Sequence, residues 1–325
     1  MSYREILKKS WQNTWKNKYL WFFGLFATLL GNGGEIDIIF RSFNTDSRQE
    51  LFLGWNRMME TGFFSKGVFS GIGKLAHEDP FSLFLALSIL FLLVVLGAFL
   101  IWMTMVSQAA IVNNSSKAEG KKKVDFKEGM NAGVKNFVPV FALNLFSRVA
   151  IYILFVLISL PILTNTSKSD VFLNSILFLI AFLIFIPLSI IVSFIVKYAI
   201  AFSVIKGKKI SESIKMGWEL FVNNWLISIE MAFVLFFINL LVGFSLIMIF
   251  LVLAVPFMFL ALLFSQLALY FNFWAIVLAA LILFLFVAAL IGSALATFQI
   301  STWTILFMEL TGKKVESKLN RIFAK

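Results

Sequence analysis

Apolar positions along the chain fall in long unbroken runs that short polar segments separate. Such runs are typical of helices that cross a bilayer, because a half-buried strand alternates apolar and polar residues. One crossing needs about 20 apolar residues. The pattern predicts an all-α integral membrane protein in one domain. We expect about six transmembrane helices as three hairpins, each preceded by an amphipathic interfacial helix.

Five of the predicted spans are visible directly as apolar runs. Asp79 and Pro80 form a helix-start signal before the second span, with Asp79 as N-cap and Pro80 in the first turn. The predicted second to sixth spans are Phe81 to about Ala110, Phe137 to Leu163, Val171 to about Ile205, about Trp225 to Ala254, and about Phe273 to Glu309.

The first predicted span is the least regular. The apolar run from Tyr19 to Leu30 is too short to cross a bilayer. Either the preceding helix bends inward and residues 11–31 cross, or this piece is re-entrant. A cleaved signal peptide is a third interpretation, but residues 31–34 make a poor cleavage site.

The last third of the chain is apolar for much longer than one span. Pro256 is expected to break it, since proline lacks the backbone N–H that a helix interior uses. The piece containing Gln266 and Asn272 would then be re-entrant. An alternative with eight spans divides that piece into further crossings.

Basic residues predict the orientation. Residues 32–80 hold seven acidic and five basic residues and are expected to form an external loop. Lysines follow the even-numbered spans and fill the tail, 313–325, which places both termini in the cytoplasm by the positive-inside rule. The lysines of the two internal segments are Lys117, Lys121, Lys122, Lys123, Lys206, Lys208 and Lys209.

Three amphipathic segments precede the three hairpins. Each begins near a polar capping residue, Ser2, Asp125 or Ser211, with Glu5 and Glu128 in the capping-box positions of the first two. Each ends in asparagine next to or one residue away from an aromatic residue, at Asn17-Lys18-Tyr19, Asn136-Phe137 and Asn223-Asn224-Trp225. The pattern predicts an internal repeat with units of about 1–112, 113–206 and 207–312. A simpler explanation is that any basic segment re-entering a bilayer tends to carry aromatic residues.

Composition supports a hydrocarbon environment. Apolar residues make up 60% of the 325 residues and charged residues 14%, so a water-soluble fold could not bury the apolar surface. The net charge of +11 lies between the spans, which favours anionic lipid headgroups rather than nucleic acid as its partner. The lipid-interface residues that we predict are Trp11, Trp15, Lys121, Lys122, Lys123, Trp218 and Trp225.

No catalytic, cofactor or metal constellation is recognisable. The chain has no cysteine, which excludes disulfides, thiolate chemistry and Cys-based metal sites. Its single histidine, His77, fits a segment that caps the second span better than a metal ligand. A phosphate-binding loop among the glycines of residues 67–74 fails on spacing.

Polar residues within the predicted spans are the candidate site. A charge in hydrocarbon costs at least about 2.5 kcal/mol and marks a function or a pair. We hypothesise that Glu230 neutralises Lys197 or Arg148 in a polar pocket near Asn144 and Asn239. A structural ion pair, or basic side chains reaching lipid phosphates, is the alternative.

A resemblance follows from two short motifs. Residues 210–225, ISESIKMGWELFVNNW, and the ending at 298–312 with Glu309-Leu310-Thr311-Gly312 resemble a broad group of prokaryotic membrane domains of unknown function. That group includes the membrane domain fused to some glycerophosphodiester phosphodiesterases. The resemblance implies a six-span bundle in a prokaryotic plasma membrane and no known reaction.

Three functions are open at this point. The first is a non-enzymatic module that organises lipid or supports a membrane protein partner. The second is a small-solute or lipid transporter or a channel subunit, which the repeat and the intramembrane charges favour. The third is an intramembrane enzyme acting on lipids, for which no residue set stands out.

Overall fold

The computed structural model describes residues 3–30, 79–120, 124–165 and 171–312. These residues form α-helices and no strand. In chain order the helices are α1 Tyr3–Lys16, α2 Leu20–Ala27, α3 Pro80–Glu119, α4 Phe126–Lys135, α5 Phe137–Asn165, α6 Val171–Lys206, α7 Ile210–Asn223, α8 Trp225–Gln266 and α9 Tyr270–Gly312.

Five helices of the described residues, α3, α5, α6, α8 and α9, are long and apolar enough to cross a membrane. The chain therefore has the architecture of a helical multi-pass membrane protein, as the apolar runs predict. Residues 11–30 are not one continuous helix, because the chain turns at residues 17–19 between α1 and α2. The bend predicted near Trp11 or Trp15 is wrong, because α1 runs through both residues to Lys16. Whether this part of the chain crosses the membrane stays a prediction. Four predictions fall outside the described residues: the external loop up to residue 78, the basic tail 313–325, the lysines at 121–123 and the Ser2 cap.

The predicted break at Pro256 is also wrong. Helix α8 runs through Pro256 without interruption, and the turn comes eleven residues later, at 267–269. Breaking a helix in hydrocarbon would expose several backbone groups with no water to bind, whereas proline removes a single N–H. Gln266 ends α8 and Asn272 lies in the first turn of α9, so no separate re-entrant piece and no extra crossing lies between them.

Helix starts follow the sequence signals in one case and not in another. Asp79 caps α3 as predicted, since its carboxylate accepts the Ser82 backbone N–H at 3.1 Å and Pro80 occupies the first turn. Asp125 stands at the N-cap of α4 but its side chain makes no capping hydrogen bond. Glu128 instead forms an ion pair with Lys117 of α3, which explains why the capping box does not form.

The packed core lies at one end of the long helices, here called the base. Buried residues concentrate at 103–115 of α3, 194–203 of α6 and 296–307 of α9. The opposite ends are exposed or half-buried along 80–101 of α3 and 270–291 of α9. Both ends are apolar, but the base segments also carry small hydroxyl residues, which let helices approach closely in a membrane.

The three amphipathic helices all pack at the base. Helix α4 packs on α3, α7 on α6, and α1 on α9. Glycine permits the close approach in two of these pairs. A Cβ at Gly133 would lie 2.4 Å from the Val106 carbonyl oxygen, and one at Gly217 would lie 2.7 Å from that of Ile195.

Asparagine forms the corner between an amphipathic helix and the span that follows. The Asn136 carbonyl accepts the Val140 N–H at 3.1 Å, and its side chain donates back to the Ala132 carbonyl at 2.8 Å. In the same way, the Asn224 carbonyl accepts the Ser228 N–H at 3.1 Å, and the Asn224 side chain donates to the Leu220 carbonyl at 3.0 Å. Each asparagine thus ends one helix and begins the next.

Candidate functional site

Two side-chain amide pairs lie inside the bundle near the base. Asn144 of α5 donates to Gln108 of α3, with 2.7 Å between the amide nitrogen and oxygen. Gln299 of α9 donates to Asn239 of α8. Each pair joins two long helices, as expected where polar groups have no water to bind.

A small cavity lies between these pairs. Its volume is about 50 Å³, and Gln108, Lys197 and Gln299 line it together with Trp303 and Thr304. Gln108, Asn144, Lys197, Asn239 and Gln299, one from each long helix, thus form a continuous cluster, here called the polar layer. The cavity holds at most a few water molecules, since one needs at least about 10–15 Å³.

Gln299 is the most buried member of the polar layer, with 5% of its surface exposed. Its amide nitrogen is bonded to Asn239, but its oxygen has no hydrogen-bond partner among the described residues. A buried carbonyl oxygen without a partner is unfavourable by about 1–3 kcal/mol, and a water in the cavity would relieve this.

Lys197 borders the cavity and faces aromatic rings. Its ammonium lies 4.6 Å from the centroid of Trp303 and 5.8 Å from that of Phe194. Such cation–π contacts contribute about 0.5–2 kcal/mol, more where water is excluded. They lower the energy of a charge held in a largely apolar surrounding.

Glu230 is placed below the polar layer, toward the base. Its carboxylate accepts a hydrogen bond from the Tyr3 hydroxyl of α1. Tyr3 is buried and belongs to the same core cluster as Met231 of α8. Glu230 therefore attaches the beginning of α1 to α8, and the hypothesis that it neutralises Lys197 or Arg148 stays a prediction.

Arg148 is not part of the polar layer. It is exposed on α5, one turn beyond Asn144, and makes no hydrogen bond, ion pair or ring contact within the described part of the chain. Of the five predicted cluster residues, Asn144, Lys197 and Asn239 belong to the polar layer. Arg148 lies one turn beyond it on the exposed face of α5, and Glu230 lies on α8 between the base and Asn239.

A second buried polar cluster lies under α1. The Asn13 amide donates to the hydroxyls of Ser115 and Ser301, at 3.1 and 3.3 Å, and those hydroxyls are 2.8 Å apart. At the surface of the base Lys9 forms an ion pair with Glu119 and lies 3.9 Å from Glu309. Helix α1 is thereby fixed to the ends of both α3 and α9.

Sequence reasoning missed Gln108, Gln299 and the Asn13 cluster. Gln108 and Gln299 each stand almost alone as amides in an apolar helix, and that isolation is the signal that would have found them. Asn13 gave no such signal, because α1 carries many polar residues and only the packing shows which of them is buried.

The predicted interfacial tryptophans are exposed around the base. Trp11 and Trp15 of α1 are 56% and 43% exposed, and their ring centroids are 5.4 Å apart. Trp218 of α7 and Trp225 of α8 are also exposed. Tryptophan with a partly exposed ring favours the headgroup region of a bilayer.

Within the described residues no group of three or more histidine, aspartate or glutamate side chains is placed to hold a metal ion. The polar layer presents four side-chain amides and one ammonium, and the Trp303 ring lies beside it in the cavity wall. This chemistry serves hydrogen bonding and helix attachment.

The chain combines five apolar helices with a base of amphipathic helices, which defines it as a helical multi-pass membrane protein. Comparison with protein-family models, curated proteins and solved structures found no significant match. The resemblance to the phosphodiesterase-associated membrane domains therefore stays a prediction that rests on residues 210–225 and 298–312.

Proposed function

We propose that the protein is a non-enzymatic membrane module that organises anionic phospholipid on the cytoplasmic side of a prokaryotic plasma membrane. The observation that carries this proposal is the gathering of α1, α4 and α7 at one end of the bundle, with exposed tryptophans around a filled core. The cavity lined by Gln108, Lys197 and Gln299, at about 50 Å³, is too small to hold a phospholipid or a metabolite-sized solute.

Charge supports the proposed orientation. Lysines are frequent in the segments that join helices at the base, whereas residues 267–269, which join α8 to α9 at the opposite end, carry no charge. Exposed lysines beside exposed tryptophans favour a negatively charged leaflet by about 1 kcal/mol for each lysine near the surface. A partner protein that uses the same face is a further part of this proposal.

The repeat is proposed on the same grounds. Helix α4 packs on α3 and α7 packs on α6, so each of these two amphipathic helices packs on the long helix before it. Helix α1 has no helix before it in the described residues and packs on α9 instead. Asn136 and Asn224 form equivalent corners. Three copies of a surface helix followed by a hairpin account for both regularities, with α2 and α3 as the first hairpin.

The test uses spin-labelled lipids and the full-length protein in vesicles of phosphatidylglycerol and phosphatidylcholine. We expect a larger immobilised fraction of labelled phosphatidylglycerol than of labelled phosphatidylcholine. Replacing both Trp11 and Trp15 by alanine is expected to reduce that fraction. Trp274→Ala is the matched control, because Trp274 is 67% exposed at the opposite end of the molecule. Equal immobilisation of the two lipids by the unmodified protein would refute the proposal.

A transporter or channel subunit is the second candidate, and the cavity beside Lys197 and Gln299 is the observation that favours it. Its size restricts such a pathway to water or a very small solute. Light scattering after an osmotic step with urea measures this in vesicles. Swelling no faster than in protein-free vesicles would exclude it.

A further inference from the structure

We propose that Arg148, on the outer face of α5, binds the phosphate group of an anionic phospholipid in the leaflet next to the base. This inference rests on the proposed function and identifies one lipid site within it. The argument depends on the depth of Arg148 in the membrane, its exposure, the direction of its side chain and the chemistry of guanidinium.

The polar layer indicates where the hydrocarbon region ends. Beyond Asn144, α5 continues through residues 145–165, a length of about 31 Å at about 1.5 Å per residue. Beyond Lys197, α6 covers residues 171–196, about 39 Å. Hydrocarbon is about 30 Å thick, so the α5 segment just spans it, and the longer α6 segment spans it when tilted. The polar layer then lies near the base-side boundary of the hydrocarbon.

Arg148 lies one helical turn inside that boundary, about 6 Å beyond Asn144. Its neighbours Leu145, Phe146 and Val149 are exposed apolar side chains, as on a surface that faces lipid. Arg148 is itself exposed and has no partner among the described residues. An arginine in this position is unfavourable unless its charge reaches a counter-charge.

The side chain points toward the required counter-charge. Cα–Cβ bonds of a helix tilt toward its N-terminus, and the N-terminus of α5 lies at the base. The long arginine side chain therefore extends back toward the headgroups, a distance of about one turn. Phosphate is the anionic group at that depth, and the planar guanidinium binds two phosphate oxygens at once.

Tyr152 lies one turn further along the same face and is 60% exposed. Its hydroxyl is a second donor for the same lipid, suited to the carbonyl oxygen of an ester below the phosphate. Side chains four residues apart are neighbours on the same face of a helix, so Arg148 and Tyr152 lie side by side. The pair fits one phospholipid lying against α5.

The test is native mass spectrometry of the full-length protein, released from nanodiscs with equal phosphatidylglycerol and phosphatidylcholine. We expect Arg148→Gln to retain one phosphatidylglycerol fewer than the unmodified protein, with affinity reduced about tenfold or more, as for loss of a charged hydrogen bond. Arg148→Lys is expected to restore binding in part, since lysine is a point charge. Leu145→Gln is the matched control, because it places the same amide on the neighbouring exposed surface of α5 without removing a charge.

Unchanged phosphatidylglycerol retention in Arg148→Gln, or an equal loss in Leu145→Gln, would overturn the lipid site while leaving the proposed function intact. A change of oligomeric state in Arg148→Gln without loss of lipid would also overturn it, because a carboxylate of another protein would then be the partner. Failure of the unmodified protein to retain any phosphatidylglycerol would contradict both this site and the proposed function.

Discussion

Two residues with a left-handed backbone show what single positions contribute. Ala268, in the turn between α8 and α9, has φ 53°, and Gly207, just after α6, has φ 64°. The N–H groups of Ala268 and Leu269 donate to the carbonyls of Ser265 and Phe264 at 3.1 and 3.0 Å. This turn usually has glycine where Ala268 stands, because a Cβ is unfavourable there.

We expect Ala268→Gly to raise the free energy of unfolding by about 0.5–1 kcal/mol, since the strain of the left-handed alanine exceeds the entropy that glycine adds to the unfolded chain. Gly207→Ala is the reciprocal control and is expected to lower it by a similar amount. A Cβ at Gly207 has nothing within 4 Å, so any loss there comes from backbone conformation. Unfolding midpoints in detergent measure both. A less stable Ala268→Gly protein would contradict this account.

The Asp79 cap at the start of α3 makes the stability of the protein depend on pH. Hydrogen bonds from the Ser82 hydroxyl and backbone N–H lower the pKa of the Asp79 carboxyl. Its stabilising effect is therefore complete above the ordinary aspartate pKa of about 3.9 and is lost as the pH falls through the lower value in the folded protein.

We expect Asp79→Ala to lower the melting temperature at neutral pH, whereas Asp79→Asn should retain most of the cap. The difference between the unmodified protein and Asp79→Ala should disappear at a pH well below about 4. Melting curves at several pH values measure this. A difference that persists at low pH would show that capping is not the cause.

At the scale of elements, close approach of helix backbones fixes α4 and α7 to the base. Gly133→Ala and Gly217→Ala each place a Cβ against a backbone carbonyl of the neighbouring helix, at 2.4 and 2.7 Å. We expect each to reduce stability by about 1–3 kcal/mol, as overpacking does. The measurement is the thermal unfolding midpoint.

Gly243→Ala is the control for these substitutions. Gly243 also lies within a helix, α8, but a Cβ there would have nothing within 4 Å. Its replacement should leave the protein as stable or raise stability by about 0.5–1 kcal/mol through helix propensity. Equal losses at all three positions would mean that close packing does not explain them.

The elements also show how much the sequence could predict. Five long helices, the cap of α3 and the three amphipathic helices follow from hydropathy and capping residues. The path of α8 through Pro256 does not, because lipid changes the relative energies of a kink and a break. The polar layer was predicted only in part. Asn144, Lys197 and Asn239 stand out in the sequence as polar residues within spans, but the sequence does not show that Gln108 and Gln299 lie next to them.

At the scale of the whole molecule, α1 packs against α9, the last helix of the described residues. Asn13 donates a hydrogen bond to Ser301 of α9, and the Lys9 ammonium lies 3.9 Å from the Glu309 carboxylate of α9. Tyr3 donates a hydrogen bond to Glu230 of α8. These contacts cover a face of α9 that is otherwise apolar and hydroxyl-rich. Removing α1 should therefore expose the base without abolishing the long helices.

Single-cysteine labelling tests this directly, because the chain has no cysteine of its own. Ser301 is fully buried, so Ser301→Cys should react slowly with a water-soluble maleimide. We expect deletion of residues 1–16 to accelerate the reaction at least tenfold. Trp274→Cys, at the opposite end, should react equally in both proteins. An unchanged rate at position 301 would show that α1 is not what protects it.

The attachment of α1 to α9 also has a consequence for biosynthesis. A ribosome makes α1 first and the serine that Asn13 contacts nearly three hundred residues later. Until α9 has been synthesised, α1 has no docking partner on α9 and must wait on the membrane surface, where its exposed tryptophans and lysines suit it to remain. Docking of α1 then marks a chain in which α9 has been made, and a truncated chain lacking α9 would keep this helix undocked and open to quality-control proteases.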